Sequence, residues 1–178
     1  MKTLLDADRL QQGIRRMADH IQAFYQGSPL TIVGVLIGSV VLLADLIRLL
    51  DLPLRVELVQ ARSYRHNATQ PGALEINVET LSSGLEGRRV LLVDDIFDTG
   101  HTLWQLVPQI EALGPTEVRT AVLLRKRDRC QVPMEPDFVA FDIPNVFVVG
   151  YGLDYNDMYR NLPYVASLEP EDFGGEPQ

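Results

Sequence analysis

Two unbroken apolar runs, residues 31–36 and 90–93, do most to limit the possible fold of this chain, and a third strand is expected over residues 118–124. A strand that is apolar on both faces has to be covered on both faces, which is typical of parallel sheets. Amphipathic stretches separate the runs, so strands and helices alternate along the chain. Such alternation predicts an α/β fold with a central parallel sheet of about five strands flanked by helices. In such sheets, ligands bind beyond the carboxyl ends of the strands.

Helices and further strands fill the intervals between these runs. The spacing of apolar side chains predicts helices over residues 5–24, 40–50 and 102–113, and shorter apolar pieces predict strands over residues 54–59, 73–78, 138–143 and 147–149. A polar stretch over residues 62–87 surrounds one of these strands, and its length is typical of a functional or a disordered loop. We expect one domain over residues 1–178, with a frayed acidic tail from residue 169.

The composition disfavours several classes of protein. A net charge of −8 argues against a nucleic-acid-binding module, which normally has a basic face. It does not argue against an anionic substrate, because backbone N–H groups and metal ions can hold phosphate. The longest apolar stretch, residues 31–50, contains Asp45 and Arg48, so we expect no membrane-spanning helix. Cys130 is the only cysteine, which favours a reducing, cytoplasmic location.

The segment with the most information about function is VLLVDDIFDTGHTL, residues 90–103. Its apolar strand leads into Asp94 and Asp95, and Asp98 follows in a turn that opens a helix. The N–H groups of that turn would bind a phosphate, whereas the acids would engage hydroxyl groups or Mg²⁺. A ribose phosphate offers both partners and therefore fits the segment. Two alternatives are acids that only cap the strand and helix, and a Mg²⁺ cluster for phosphoryl transfer, which the Thr-Gly turn disfavours.

This segment resembles the phosphoribosyl-pyrophosphate signature of type I phosphoribosyltransferases. Other stretches resemble the hypoxanthine-guanine branch of that family: LIGSVVLLADLIRLL, the loop at Ser63 and Tyr64, LLRKR, and FDIPNVFVVGYGLDYNDMYRNLPY. The resemblance spans about residues 31–168. It implies transfer of a phosphoribosyl group from phosphoribosyl pyrophosphate to hypoxanthine or guanine, with Mg²⁺ as cofactor and IMP or GMP and pyrophosphate as products. It also implies a small hood, formed by the N-terminal helix and the segment after residue 138.

The resemblance assigns the donor sugar to the acidic segment. Asp94 and Asp95 match the acid pair that holds the ribose hydroxyls close to Mg²⁺, and Asp98 matches the residue taken as the general base near N7 of the purine. Such carboxylates would stabilise positive charge that develops on the sugar. The turn that would bind the 5′-phosphate comprises Asp98, Thr99, Gly100, His101 and Thr102.

The resemblance places the purine near the end of the chain. Lys126 matches the lysine that contacts the 6-oxo group, and its alternative role is that of a solvated lysine. Phe147 and Val148 match the positions that stack on the base and meet its edge, although Phe147 is equally typical of a core residue. Asp154 matches a carboxylate near a second Mg²⁺, and Arg160 matches an arginine that reaches the pyrophosphate. Among the remaining residues of this stretch, Tyr151, Tyr155 and Tyr159 are interpreted as structural.

The pyrophosphate turn departs from the family pattern. The family usually has a lysine in the turn where this chain has Ile37, followed by Gly38, whose backbone would hold the pyrophosphate. Ile37 cannot supply that positive charge, so pyrophosphate affinity or subunit contacts are expected to differ. Ser63 and Tyr64 match the start of a mobile loop that covers the site and excludes water.

Two other functions remain open from the sequence. One is a regulator that kept the phosphoribosyltransferase fold and binds RNA, for which the acidic composition gives no support. The other is the same chemistry with another acceptor, such as xanthine or adenine. Lys126 and Phe147 disfavour adenine, whereas the choice between guanine and xanthine depends on the backbone groups that face the 2-position. We expect phosphoribosyl pyrophosphate and a purine base as partners, and a homodimer or homotetramer by resemblance to the family.

Overall fold

The computed structural model describes residues 1–63, 74–77, 81, 84–169 and 171–172. Its strands are β1 (Lys2–Leu5), β2 (Leu30–Leu36), β3 (Leu54–Ser63), β4 (Leu74–Asn77), β5 (Arg89–Phe97), β6 (Glu117–Arg125), β7 (Phe138–Asp142), β8 (Val148–Val149) and β9 (Val165–Ser167). Its helices are α1 (Ala7–Tyr25), α2 (Val40–Ile47) and α3 (His101–Glu111), and a short 3₁₀ turn covers Arg127–Arg129.

The larger of two sheets has the strand order β4-β3-β2-β5-β6-β7. Five neighbouring strands, β3-β2-β5-β6-β7, are parallel, and β4 is an antiparallel edge strand. The predicted α/β fold with five parallel strands is therefore confirmed. The carboxyl ends of β2, β5 and β6 meet at one edge of this sheet, as the parallel arrangement requires.

Side chains of β5 show why the apolar runs are unbroken. Leu91 and Val93 point to one face of the sheet and pack in a core with α1 and α2. Val90 and Leu92 point to the other face and pack in a second core with α3. Because successive residues of a strand alternate between faces, helices on both faces require an apolar residue at every position.

Helix α1 begins later than the apolar spacing predicts. Asp6 caps it, because the carboxylate accepts a hydrogen bond from the N–H of Arg9 at 2.8 Å. Leu5 therefore lies outside the helix, at the end of strand β1. Farther along, α1 approaches β7 so closely that a Cβ at Gly13 would overlap the ring of Phe141. The helix is thus part of the main core.

A small antiparallel sheet with the order β1-β9-β8 lies beside the larger one. Its strands come from the N-terminus and from the segment after residue 142, and two of them, β1 and β9, were not predicted. The expected single domain over residues 1–178 and the hood within it stay predictions. Within the described part of the chain, none of the helices combines the length and apolar character needed to cross a bilayer.

Candidate active site

The acid pair lies inside strand β5 rather than after it, which corrects the sequence prediction. On one side β5 stays paired with β6 beyond the acids, with Asp94 opposite Val122. On the other side the pairing with β2 stops at Gly34 and Val93. The space beside the acids is filled by the turn that follows β2, and a Cβ at Gly38 would overlap the carboxylate of Asp95. Only a glycine lets this turn approach the acid so closely.

The two acids are electrostatically unfavourable as they stand. Burial raises the pKa of Asp94 well above its usual value, and the charge of Asp95 raises it further. Burial also raises the pKa of Asp95, although hydrogen bonds oppose the shift. The carboxylate of Asp94 accepts a hydrogen bond from the N–H of Asp95 at 3.0 Å. Hydroxyl donors or a cation beside the pair would therefore lower the free energy needed to ionise both acids.

The predicted phosphate turn connects β5 to α3. Gly100 has a φ of 87° and precedes the first residue of the helix. A Cβ at this position would lie 2.5 Å from Val132 Cγ2 and 2.6 Å from Phe97 Cζ, so both conformation and space require glycine. The first N–H groups of a helix have no partner within it. The helix start is therefore suited to an anion, and the first turn contains no acidic residue to repel one.

Asp98 lies between two cations. Lys126 Nζ donates to Asp98 Oδ2 at 3.1 Å, and Arg129 Nε lies 2.6 Å from Asp98 Oδ1. Lys126 is 5% exposed, whereas the Arg129 side chain is 42% exposed. Sequence reasoning missed Arg129. The available signal was its position three residues after Lys126, because residues three apart share a face in a 3₁₀ turn.

Two adjoining cavities open at this edge of the sheet. The larger, about 450 Å³, is lined by the acids, the phosphate turn and the turn after β2. The smaller, about 200 Å³, is lined by Lys126, Phe147 and Val148, as well as by residues of the larger one. The side chains that the two cavities share are Asp95, Ile96, Asp98 and Asp154. The arrangement suits a ligand with two parts that meet at Asp98.

The predicted purine residues come together at the smaller cavity. Lys126 is buried at the end of β6 and its ammonium reaches the cavity through its contact with Asp98. Phe147 is exposed, and its ring packs edge-on against Tyr155 with centroids 5.7 Å apart. Val148 is buried in strand β8. The cavity thus has an aromatic wall and one buried cationic donor.

Asp154 and Arg160 form an ion pair at the boundary of the cavities. Arg160 Nη2 lies 2.8 Å from Asp154 Oδ1, and Arg160 Nη1 donates to the Gly152 carbonyl oxygen at 2.8 Å. Among the described residues, no three His, Cys, Asp or Glu side chains are arranged to hold a metal by themselves. Mg²⁺ commonly uses one or two carboxylates together with water and substrate phosphates. The paired acids and Asp154 fit that smaller set of ligands.

Four further predicted site residues differ in their relation to the two cavities. Ile37 is 58% exposed at the rim of the larger cavity, after a cis peptide bond from Leu36. His101 is exposed, with Nε2 3.2 Å from Gln131 Oε1, and is not among the described residues that line either cavity. Ser63 ends strand β3, whereas Tyr64 lies outside the described residues.

Comparison with known families agrees with this geometry. The sequence profile of the phosphoribosyl transferase domain matches residues 1–156. The chain belongs to this family. The resemblance predicted from the acidic segment is therefore confirmed, and so is the fold.

Individual relatives within the family are similar over nearly the whole chain. The hypoxanthine-guanine phosphoribosyltransferase of Staphylococcus aureus (strain Mu50) is 35% identical over 170 residues, which cover 96% of this chain and 94% of that protein. A structure of Trypanosoma cruzi hypoxanthine phosphoribosyltransferase, a lysine-to-arginine mutant in a ternary substrates complex, superposes with a TM-score of 0.89 at 37% identity and covers 97% of both chains.

A bifunctional relative extends the comparison to a longer protein. The TilS/HprT protein of Listeria innocua is 39% identical over 170 residues, which cover 96% of this chain. The chain spans only 26% of the length of that relative. The match thus concerns one part of the bifunctional protein. The roles predicted for individual site residues stay predictions.

Proposed function

We propose that this phosphoribosyltransferase-family protein transfers the 5-phosphoribosyl group from phosphoribosyl pyrophosphate to hypoxanthine or guanine. The observation that carries the proposal is the position of Asp98, a carboxylate shared by a large polar cavity and a small cavity with an aromatic wall. The donor sugar fits the first and the purine fits the second. The reacting atoms would then meet beside Asp98.

Asp98 would act as the general base. In the transfer, the bond from the sugar carbon C1′ to pyrophosphate breaks, and a bond from C1′ to N9 of the purine forms. The imidazole ring of the purine must lose a proton, and a carboxylate near N7 can accept it. Lys126 and Arg129 hold the two oxygens of Asp98 and so fix its position before the purine arrives.

Lys126 would also select the purine. Its ammonium group can donate a hydrogen bond to a 6-oxo group and cannot accept one. Adenine has an amino group at that position, so two donors would face each other in a buried place. Such a mismatch costs about 1–3 kcal/mol, which corresponds to roughly a fivefold to 150-fold lower kcat/KM. The burial of Lys126 supports this role, because a solvated lysine would not discriminate in this way.

Asp94 and Asp95 would hold the ribose hydroxyls, while the helix start at Gly100 binds the 5′-phosphate. Mg²⁺ would be held by these acids and by Asp154, together with oxygens of the donor, and when bound it neutralises charge on the leaving pyrophosphate. The raised pKa values of the two buried acids support this assignment, since added donors or a cation would favour their ionised forms. Arg160 is placed by Asp154 and would contact the pyrophosphate.

A product assay tests the proposal. The purified protein is incubated with phosphoribosyl pyrophosphate, Mg²⁺ and one of four bases: hypoxanthine, guanine, xanthine or adenine. Nucleoside monophosphate and pyrophosphate are then measured. We expect formation of IMP and GMP and much slower formation of AMP. The absence of nucleotide with all four bases would contradict the activity, and a preference for xanthine would contradict the proposed acceptor.

We also propose that the protein forms a homodimer or a homotetramer. Exposed apolar side chains support this, because Val56 and Leu58 on β3 are 41% and 43% exposed and Val40 on α2 is 43% exposed. Light scattering coupled to size-exclusion chromatography would give the mass directly. A mass of about 20 kDa at all concentrations would exclude an oligomer.

A further inference from the structure

A hydrogen-bonded acid on α2, away from the two cavities, connects this helix to the loop after β8. Asp45 Oδ2 accepts hydrogen bonds from the Tyr151 hydroxyl and from Gln11 Nε2, the latter at 3.0 Å. Arg48 forms an ion pair with the other carboxylate oxygen. Burial tends to raise the pKa of Asp45, but the hydrogen bonds outweigh it and lower the pKa below its usual value. Asp45 is therefore an ionised acceptor for Tyr151.

The backbone at Tyr151 has an uncommon conformation, and its side chain is buried. Tyr151 has a φ of 53°, which is left-handed and uncommon for a residue with a side chain, and it lies between Gly150 and Gly152 with φ of 94° and 100°. Its side chain is buried against α2, at 5% exposure. The N–H of Tyr151 donates a hydrogen bond to the carbonyl oxygen of Leu162 at 2.9 Å. This bond joins the loop to the segment that precedes β9.

The residue after Tyr151 touches the pyrophosphate turn. A Cβ at Gly152 would overlap the carbonyl oxygen of Gly38, and a Cβ at Gly38 would overlap Asp95. Gly152, Gly38 and Asp95 are therefore stacked in direct contact. The same loop also carries Asp154, two residues farther on, and the Gly152 carbonyl accepts a hydrogen bond from Arg160. A shift of this loop would move several groups of the donor site together.

From these contacts we infer that Tyr151, through its hydrogen bond to Asp45, is a positioning residue for the donor side of the active site. The bond fixes the loop at Gly152 against the turn at Gly38 and so sets the place of Asp154. Asp154 also borders the purine cavity, whereas Lys126, at the end of β6, lies outside this chain of contacts. The inference rests on the proposed phosphoribosyl transfer and adds a residue that touches neither substrate.

Tyr151→Phe tests the inference, because it removes the hydroxyl and keeps the buried ring. We expect the KM for phosphoribosyl pyrophosphate and its calorimetric Kd in the presence of Mg²⁺ to rise about tenfold, since small displacements of binding groups are costly. The KM for hypoxanthine should stay within about twofold of the unaltered protein. Asp45→Asn keeps an oxygen that can accept a hydrogen bond from Tyr151, so this variant should retain most of the affinity for the donor.

Two matched controls accompany these variants. Tyr25→Phe removes another buried tyrosine hydroxyl, one for which no hydrogen-bond partner is found among the described residues, at the opposite end of the sheet. Gln11→Ala removes the other hydrogen bond to Asp45 Oδ2, which ties down α1 rather than the loop. Neither control should alter the affinity for phosphoribosyl pyrophosphate.

The outcomes are distinguishable from failure of the proposed function. An inactive unaltered protein that does not bind phosphoribosyl pyrophosphate would contradict the function itself. An active protein whose donor KM and Kd do not change in Tyr151→Phe would overturn the inference alone. Equal changes for both substrates, loss of folding in Tyr151→Phe, or a donor KM in Asp45→Asn as high as in Tyr151→Phe would likewise overturn it.

Discussion

The two ends of strands β5 and β6 carry charged residues in opposite electrostatic situations. At the carboxyl end, Asp94 and Asp95 lie side by side, and burial raises the pKa of both. At the amino end, opposite charges are paired: Arg89 Nη2 lies 3.0 Å from Glu117 Oε1, and Arg119 Nη1 lies 2.8 Å from Asp137 Oδ1.

Aromatic rings reinforce the paired end. The guanidinium of Arg89 lies 4.6 Å from the ring centroid of Tyr25, and that of Arg119 lies 5.1 Å from the ring centroid of Phe24. These rings belong to the last turn of α1, which has no basic residue of its own. Arginines from the neighbouring strands therefore place positive charge near the negative end of that helix.

The two ends differ in how their charged residues are stabilised. The amino end has ion pairs within the protein, whereas the carboxyl end has two adjacent buried acids that a ligand could stabilise. Charges at the amino end satisfy one another and contribute to folding. Under the proposed function, the acids at the carboxyl end would gain further partners when hydroxyl groups or a cation bind, so their interactions would contribute to binding. Substitutions at the two ends should accordingly affect different measurements.

Asp98→Asn should have the largest effect, and on catalysis. The amide cannot accept a proton from the purine, so kcat should fall by about 10²–10⁴-fold, equivalent to roughly 3–5 kcal/mol of transition-state stabilisation. Thermal unfolding should change by only a few degrees, about 1 kcal/mol, because Asp98 is partly exposed. Asp128→Asn, at an exposed acid in the 3₁₀ turn, is the matched control. Near-normal turnover in Asp98→Asn would remove Asp98 from the role of base.

Arg89→Met should have the next largest effect, and on stability. The variant keeps an apolar stem but loses the ion pair with Glu117 and the contact with the Tyr25 ring. We expect the free energy of unfolding to fall by about 1–2 kcal/mol, measured by urea denaturation. The values of kcat and KM should not change. Arg55→Met, at an exposed arginine of β3, controls for loss of charge. A catalytic defect in folded Arg89→Met would contradict the separation of the two ends.

The contrast also shows what the sequence could predict. Unbroken apolar runs determine the parallel sheet because burial on both faces outweighs other preferences, and Asp94, Asp95 and Asp98 are conspicuous directly after such a run. Strands β1 and β9 have four and three residues, and Lys2 pairs with Ser167, so no local periodicity reveals them.

Within the site, predictability falls with separation along the chain. Gly100 could be inferred because turn and helix are local. The hydrogen bond between Asp45 and Tyr151 joins residues 106 positions apart, and neither residue stands out from its neighbours in the sequence. The contact of Gly152 with Gly38 depends on backbone packing between distant loops, which a sequence does not display.

Ile37→Lys should add a positive charge beside the larger cavity, at the carboxyl end of the strands. Ile37 is 58% exposed at the rim of the larger cavity, so a lysine there would remain solvated and within reach of the pyrophosphate. An exposed pair of this kind contributes about 1 kcal/mol, so the KM for phosphoribosyl pyrophosphate should fall roughly fivefold at low salt. The gain should shrink as ionic strength rises. Ile37→Gln, which is similar in length and uncharged, should show no gain, and an equal gain would contradict a charge effect.

Asp142→Asn should have the smallest effect, and it tests whether pairing, rather than position at the carboxyl end, decides how an acid behaves. Asp142 ends β7, and its oxygens lie 2.7 Å from Arg125 Nε and 2.9 Å from Arg127 Nη2. Hydrogen bonds from Arg125 and Arg127 lower the pKa of Asp142 from 3.8 to about 2. Unlike Asp94, this acid already has its partners in the folded protein.

A lowered pKa means that Asp142 stabilises the fold when ionised. Its contribution should be complete above about pH 4 and should decline as the pH falls toward 2, because the unfolded state then binds the proton first. The side chain is 45% exposed, so screening by solvent limits the contribution to about 1 kcal/mol. In urea denaturation, Asp142→Asn should be less stable than the unaltered protein at about pH 6, and the difference should shrink as the pH falls from about 4 toward 2. If the stability difference between Asp142→Asn and the unaltered protein stays constant over this range, the ion pairs of Asp142 do not stabilise the fold. Ion pairing would then not explain why Asp142 and Asp94 differ.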